Sequence, residues 1–113
     1  MDARMIEIAD HYGYDAQSRQ LIEEMAELTQ AINRFWRKTL ECGKVEFTCE
    51  DAFRETLQGA KEMEGMIQEI ADVEVCLEQV KYMLDSDEKI DQYREYKIRR
   101  QLYRMQTGKR EES

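Results

Sequence analysis

Residues 20–36, QLIEEMAELTQAINRFW, have the spacing that decides the fold. Apolar side chains recur there every three or four positions, which is the period of an α-helix rather than of a β-strand. The same period continues through residues 66–84, MIQEIADVEVCLEQVKYML. No segment alternates as a strand would, and the chain has no Pro and only five Gly to interrupt its helices. The sequence therefore predicts an all-α protein.

Four helices are expected along the chain. The first covers residues 2–11, and the second runs from residue 15 to residue 38 or 40. The third begins at residue 48 or 51 and ends at residue 84, and the fourth covers residues 88–105. Gly13 ends the first helix at a position where glycine is common, and residues 41–48 read as a loop. Gly59 is a point where the third helix can be interrupted, and residues 85–87 form a turn and cap before the fourth. Residues 106–113 are expected to fray.

Two apolar stripes run along the two longest predicted helices. The first comprises Leu21, Met25, Leu28, Ile32 and Trp36, and the second comprises Met66, Ile70, Val73, Leu77, Val80 and Leu84. Trp36 is assigned to the core rather than to a base-stacking platform. Four more residues widen both arcs: Ile22, Ile67, Cys76 and Met83. These arcs exceed what one partner helix covers, which favours burial of part of them in a homo-oligomer.

The overall composition excludes several classes of protein. The chain has 113 residues with 17 Lys and Arg against 25 Asp and Glu, a net charge of -8 that disfavours nucleic acid or an anionic membrane as partner. Its length fits one domain, 1–113. No apolar run is long enough to span a bilayer, and the N-terminal residues lack the features of a secretory signal. Three Cys without a CxxC pair, and a lone His, predict reduced thiols in the cytoplasm and no zinc site.

Two acidic motifs stand beside the stripes. Glu23, Glu24 and Glu27 form EExxE, while Glu69 and Asp72 form ExxD. Glu24 and Glu27 lie on one edge of their stripe, and the ExxD pair has the same relation to the other stripe. If the stripes face each other, these four carboxylates converge and repel unless a cation neutralises them. Oxygen ligands alone favour Mg²⁺ or Mn²⁺; a solvated acidic face in a Glu-rich chain is an equally open alternative.

Small residues flank the predicted cluster. Gly65 precedes Glu69 by one turn and Ala31 follows Glu27 by one turn, which leaves room for a ligand beside the ion. Close helix packing is the competing explanation for Gly65. A di-iron carboxylate bundle is excluded because it needs Glu-x-x-His pairs, and the single His11 follows Ile8 at that spacing.

A basic stripe on the fourth predicted helix supplies the opposite charge. It comprises Lys97, Arg100 and Arg104, which suit either phosphate binding or the C-terminal end of the helix dipole. Arg34, Arg37 and Lys38, at the end of the second predicted helix, are weaker candidates for phosphate binding. Gln17 and Gln20, one to two turns before Glu24, are candidate contacts to a base edge.

The segments QLIEEMAEL (20–28) and QEIADV (68–73), followed by a basic helix, resemble the MazG-like all-α nucleoside triphosphate pyrophosphohydrolases. That superfamily includes the dimeric dUTPases and the dCTP pyrophosphatases. The resemblance covers about residues 5 to 106. The 41 residues between Glu27 and Glu69 form a longer spacer than in the compact members, and the fourth helix fits the family pattern loosely.

The resemblance implies an all-α, four-helix bundle-like fold that assembles as a homodimer or homotetramer. It also implies Mg²⁺-dependent cleavage between the α- and β-phosphates of a nucleoside triphosphate. If the roles of the family's motif residues are transferred to the matching positions, the metal ligands are Glu24, Glu27, Glu69 and Asp72, and Glu24 is also catalytic. Glu23 supports catalysis by orienting water or a basic side chain. Lys97 and Arg104, with Arg100, stabilise the pyrophosphate leaving group. Two alternatives stay open: a non-catalytic helical assembly protein, and an enzyme acting on phosphoribosyl-ATP.

Overall fold

The computed structural model describes residues 1–41 and 61–108, and every regular element in these residues is an α-helix. Helix α1 covers Ala3–Glu41, α2 covers Lys61–Leu84 and α3 covers Asp87–Thr107. The all-α prediction is therefore confirmed for this part of the chain. The predicted loop beyond Glu41, the start of the third predicted helix and Gly59 lie outside the described residues. No helix in the described residues has both the length and the apolarity that a bilayer crossing requires.

Helix α1 begins one residue after its predicted start, and Asp2 acts as its cap. The backbone N–H of Arg4 donates to Asp2 Oδ1 at 2.9 Å, which satisfies one of the unpaired donors of the first turn. The Arg4 guanidinium also donates to this carboxylate, with Nη2 2.6 Å from Oδ2. These hydrogen bonds favour the ionised form and lower the pKa of Asp2 to about 2.

Gly13 interrupts α1 at the predicted boundary between the first and second helices. Its φ of 83° and ψ of 170° are non-helical, although helical residues precede and follow it directly. This backbone region is essentially restricted to glycine, because a Cβ there clashes with the adjacent peptide. The break is confirmed, but it is a kink within one continuous element rather than a loop between two helices.

We expect Gly13→Ala to lower the free energy of unfolding by about 1–3 kcal/mol, the cost of holding a non-glycine residue in this region. No atom lies within 4 Å of a Cβ built at Gly13, so the cost comes from the backbone alone. Gly65→Ala is the control, since Gly65 is helical with the same free space, and alanine there gains about 0.5–1 kcal/mol. Urea denaturation measures both, and equal effects of the two variants would contradict the assignment of strain to Gly13.

Helices α1 and α2 run antiparallel, as their contacts show. The Tyr82 hydroxyl donates to Asp10 Oδ1 at 3.1 Å. Further along α1, Gln17 Nε2 donates to Gln79 Oε1. Residue numbers therefore fall on α2 as they rise on α1, which is the arrangement that lets the two acidic motifs meet. Asp10 on α1 thus links the two helices through its carboxylate.

The buried faces of α1 and α2 agree only in part with the predicted stripes. Met25, Ile32 and Trp36 are each between 39 and 53% exposed, so the assignment of Trp36 to the core is wrong for the single chain. On α2, Ile70, Leu77 and Leu84 are likewise exposed, whereas Val80 of the predicted stripe is buried. The buried apolar residues are Ala9, Ala31, Phe35, Cys76 and Val80. Apolar residues cover a broader arc than one helix contact uses, so their period alone did not select the inner face.

The turn after α2 and helix α3 follow the predicted order. Asp85 has a φ of 48°, a left-handed conformation that aspartate tolerates, and Ser86 occupies the N-cap position. The Ser86 hydroxyl donates to the Leu84 carbonyl rather than to the first turn of α3. Helix α3 continues to Thr107, two residues beyond its predicted end, and Gly108 closes it by donating its N–H to the Arg104 carbonyl at 2.8 Å.

The chain divides into two compact units, Met1–Met83 and Leu84–Ser113. The first contains α1 and α2 with their shared core. The second contains α3, which has no buried residue. The predicted basic stripe belongs to the second unit and the two acidic motifs to the first.

Candidate metal centre

Glu24 and Glu69 lie on the faces through which α1 and α2 meet. Glu24 is seven residues after the buried Gln17 and seven before the buried Ala31, and seven residues are nearly two full helical turns. Glu69 has the same two-turn relation to the buried Cys76. Both glutamates are partly buried as a result. The sequence predicted them at the margin of the core, and they are partly buried there.

Three carboxylates from the two helices form one cluster. One oxygen each from Glu24, Glu69 and Asp72 lies within 4.8 Å of the others. Asp72 is exposed, so the cluster opens to solvent on that side. This spacing allows a single divalent cation to be bound by oxygen atoms from both helices.

The cluster contains carboxylate oxygens without partners. Glu24 Oε2 and Glu69 Oε2 are both buried, and neither accepts a hydrogen bond from the described residues. Buried polar atoms are nearly always paired in folded proteins, and an unpaired buried anion is costly. A cation at this point would satisfy both oxygens, so the residues present fit a hard divalent metal such as Mg²⁺ or Mn²⁺.

Glu27 belongs to the same electrostatic environment. The negative charges of Glu24 and then Glu69 raise the pKa of Glu27 above its ordinary value, with further contributions from desolvation and from hydrogen bonds to the same two residues. Three of the four carboxylates predicted to converge, those of Glu24, Glu69 and Asp72, therefore lie within 4.8 Å of one another, and Glu27 is close enough for two of them to affect its pKa. Among the described residues, no Lys or Arg side chain pairs with these carboxylates to offset their repulsion.

Gln20 fixes one oxygen of Glu24. Its Nε2 donates to Glu24 Oε1 at 2.7 Å from one turn earlier on α1, while Oε2 of the same carboxylate stays unpaired. This division leaves one oxygen held by the protein and one available to a cation, as is common around bound metals. A base contact through Gln20, predicted from the sequence, would require this hydrogen bond to be exchanged and stays a prediction.

Gln17 has a structural partner. It is 9% exposed and donates through Nε2 to Oε1 of Gln79, which is 2% exposed. Gln79 Nε2 in turn lies 3.7 Å from Met5 Sδ. The buried amide pair joins α1 to α2 two turns before Glu24, and therefore helps to set the register in which the carboxylates meet. The role of Gln17 in base recognition also stays a prediction.

We expect Gln79→Leu to lower the free energy of unfolding by about 1–3 kcal/mol, because the buried Gln17 amide loses its acceptor. The double variant Gln17→Leu/Gln79→Leu should recover a large part of that loss, since it leaves no unpaired amide. A thermal-unfolding cycle of the wild type, both single variants and the double variant measures the coupling. If the changes in the free energy of unfolding of the two single variants add up to that of the double variant, the hydrogen bond between the two amides contributes no coupling energy.

Cys76 lies near the cluster, one turn after Asp72, and is a buried free thiol. Burial, and then the charges of Glu24 and Asp72, raise the pKa of the Cys76 thiol. The thiol therefore stays neutral and packs as a small apolar group. Cys42 and Cys49 lie outside the described residues.

A cavity of about 390 Å³ adjoins the cluster along the α1–α2 groove. It is lined by Ala31, Arg34, Lys61, Glu62, Gly65 and Glu69. No atom lies within 4 Å of a Cβ built at Gly65, so this glycine is not required for close helix packing. The space predicted beside Ala31 and Gly65 is therefore present.

Lys61 and Glu62 are the two lining residues that were not predicted from the sequence. Lys61 precedes Gly65 by four residues and Glu69 by eight, so the three lie along one face of α2. That spacing is visible in the sequence. The basic stripe of the last helix instead ranked above Arg34 as the predicted source of phosphate contacts, and Lys61 was not named.

The other predicted site residues are placed as follows. Glu23 is exposed, and none of the described residues forms a hydrogen bond or ion pair with it. Lys97 is exposed on α3, and the Arg100 guanidinium carbon lies 5.8 Å from the centroid of the Tyr96 ring, a cation–π contact. Arg104 lies one turn further along the same helix and is partly buried.

No protein-family model, no curated protein and no solved structure matches this chain. The functional assignment therefore comes from the residues and geometry of the carboxylate cluster and the adjoining cavity.

Proposed function

We propose that this chain is a Mg²⁺-dependent nucleoside triphosphate pyrophosphohydrolase. It cleaves the bond between the α- and β-phosphates and releases a nucleoside monophosphate and pyrophosphate. The observation that carries the proposal is the carboxylate cluster, in which Glu24, Glu69 and Asp72 from two antiparallel helices approach within 4.8 Å of one another. The EExxE and ExxD motifs, which resemble those of the MazG-like enzymes, support the assignment to this reaction class.

The proposed metal ligands are Glu24, Glu27, Glu69 and Asp72. Two of them have a buried oxygen without a partner, and a third has a pKa raised by its neighbours, so the group as a whole lacks positive charge. A bound Mg²⁺ would supply that charge, neutralise the triphosphate and activate a water molecule for attack. Mn²⁺ is the natural substitute, because it also binds carboxylate oxygens.

Several residues have proposed roles that support the chemistry. Gln20 holds one oxygen of Glu24, which keeps that carboxylate in one orientation. Glu23 is proposed to orient water or a basic side chain. Lys97, Arg100 and Arg104 are proposed phosphate contacts on the resemblance, with Arg side chains suited to bidentate binding of oxygen.

Homo-oligomer formation is part of the proposal. Apolar side chains remain exposed on both helices of the first unit, including Ile22 and Ile67, each about half exposed or more. Exposed apolar area of this kind is typical of surfaces that a partner covers. We propose that a second copy of the chain covers it, as a dimer or a tetramer, and light scattering after gel filtration measures the assembly.

Pyrophosphate release tests the proposed activity. The purified protein is incubated with the canonical ribo- and deoxyribonucleoside triphosphates and with phosphoribosyl-ATP, in Mg²⁺ or Mn²⁺, and the products are separated. We expect a monophosphate and pyrophosphate in equal amounts from at least one nucleotide, and none after addition of EDTA. Release from phosphoribosyl-ATP alone would favour the related enzyme.

A different result would favour the assembly protein. Because exposed apolar residues also suit a protein that only holds partners together, the absence of hydrolysis in every metal would leave that function as the better explanation. In that case Mg²⁺ and Mn²⁺ should also fail to stabilise the fold.

A further inference from the structure

We propose that the cavity beside the cluster binds the terminal diphosphate of the substrate, and that Arg34 and Lys61 are its phosphate ligands. This inference rests on the proposed pyrophosphohydrolase function, since it names where the leaving group lies. It places these phosphate contacts in the first unit, on the same two helices as the cluster. Neither residue belongs to the EExxE or ExxD motif.

The cavity and the cluster share a residue. Glu69 contributes to the carboxylate cluster and also lines the cavity, so a ligand held at the cluster extends directly into the open space. Along α2 the cavity reaches from Glu69 back to Lys61, eight residues or about 12 Å of helix. A phosphate chain that starts at the cluster would therefore pass Gly65 and approach Lys61.

Arg34 and Lys61, the two cations of the cavity, form no ion pair with any of the described residues, although Glu62 also lines the cavity. Within the same part of the chain, Arg34 makes a long, neutral hydrogen bond, from Nη2 to Gln30 Oε1 at 3.4 Å. Both side chains are thus available to an incoming anion. Arginine and lysine together suit phosphate, the first by bidentate donation and the second as a compact charge.

The small residues of the cavity match this ligand. Ala31 on α1 and Gly65 on α2 both line the groove between the helices and leave it open. The lining includes four charged side chains, and two of them, Arg34 and Lys61, are cations that can bind phosphate oxygens. A charged and hydrated diphosphate is the part of a nucleotide that such a lining accommodates.

The test measures binding of inorganic pyrophosphate by calorimetry in Mg²⁺, with a nucleoside monophosphate as the second probe. We expect Arg34→Gln and Lys61→Gln each to weaken pyrophosphate binding about tenfold or more, the loss of a charge-assisted hydrogen bond, and to leave monophosphate binding unchanged. Arg19→Gln and Lys81→Gln are the matched controls, because they remove the same charges from α1 and α2 away from the cavity. Gly65→Leu fills the cavity without a change of charge and should also exclude pyrophosphate, while Mn²⁺ affinity measured by electron paramagnetic resonance stays near that of the wild type.

The possible results separate the two proposals. Wild-type pyrophosphate affinity in both charge variants overturns the inference, even if the protein hydrolyses nucleotides. Weaker monophosphate binding in place of weaker pyrophosphate binding overturns it too, since the cavity would then hold the nucleoside end. Selective loss of pyrophosphate binding supports the inference, and the hydrolysis assay decides the proposed function separately.

Discussion

Replacing Glu24 or Glu69 by glutamine is expected to lower kcat/KM for nucleotide hydrolysis by about 100-fold or more, because each variant removes a charged metal ligand from the reacting centre. The same variants should not destabilise the metal-free protein. Each removes one charge from a repulsive cluster and puts an amide N–H group, which can donate to a neighbouring carboxylate, in place of a buried unpaired oxygen. The amide introduced by Glu24→Gln also keeps an acceptor for the side chain of Gln20. We expect a metal-free Tm equal to that of the wild type or higher by up to about 4 °C, roughly 1 kcal/mol for a chain of this size.

Two variants match these changes outside the cluster. Glu7→Gln on α1 and Glu74→Gln on α2 remove the same charge from exposed positions, and should leave both activity and Tm near wild-type values. The informative result is that a cluster variant loses activity but keeps or gains thermal stability, because a misfolded variant would lose both. Wild-type activity and Mn²⁺ affinity in Glu24→Gln would show that the cluster is not the metal centre.

Mg²⁺ or Mn²⁺ is expected to raise the Tm of the wild-type protein by about 10 °C when the ion is present at about 100 times its dissociation constant. At that ratio, preferential binding to the folded state contributes about 2.7 kcal/mol, and about 4 °C accompanies each kcal/mol in a protein of this length. The physical source is the cluster itself. Glu24, Glu69 and Asp72 repel one another until a cation lies between them.

Ionic strength supplies the first control for this stabilisation. NaCl at equal ionic strength screens exposed charges but does not bind at a defined site, so it should give a much smaller shift. The double variant Glu24→Gln/Glu69→Gln is the second control and should lose the response to Mg²⁺. An equal shift in NaCl, or an undiminished shift in the double variant, would falsify a specific metal site at these residues.

The prediction of the fold from sequence succeeded where the signal is local. Three features depend on residues within one or two turns of each other: the helical periodicity, the helix start near Asp2 and the break at Gly13. The structure is helical where the periodicity predicts it, and the start and the break lie within one residue of their predicted positions. The end of α3 was predicted two residues early, because helix ends are set by backbone caps such as Gly108. The prediction of which apolar residues are buried was less accurate, since Trp36 and Met25 are exposed in the single chain.

The candidate site was predicted in part. The spacing in EExxE and ExxD placed each pair of acids on one face of a helix, and the antiparallel arrangement of α1 and α2 brought the pairs together. The hydrogen bond from Gln20 to Glu24 was not predicted, because an exposed glutamine and one that orients a carboxylate look alike in sequence. Gln79 was missed as a core residue for a similar reason: its burial depends on a partner 62 positions away in the chain.

The sequence by itself determined the helices, the break at Gly13 and the acidic faces, because these depend on side chains that are neighbours along the chain. Only the tertiary structure decided which helix faces meet, that Glu24 and Glu69 each have a buried oxygen without a partner, and that Arg34 and Lys61 line the cavity beside them. Those features depend on the register between α1 and α2, which the contact between Gln17 and Gln79 helps to set. A helical pattern has the same period whichever way the helix is turned, so the choice among its faces is made by packing.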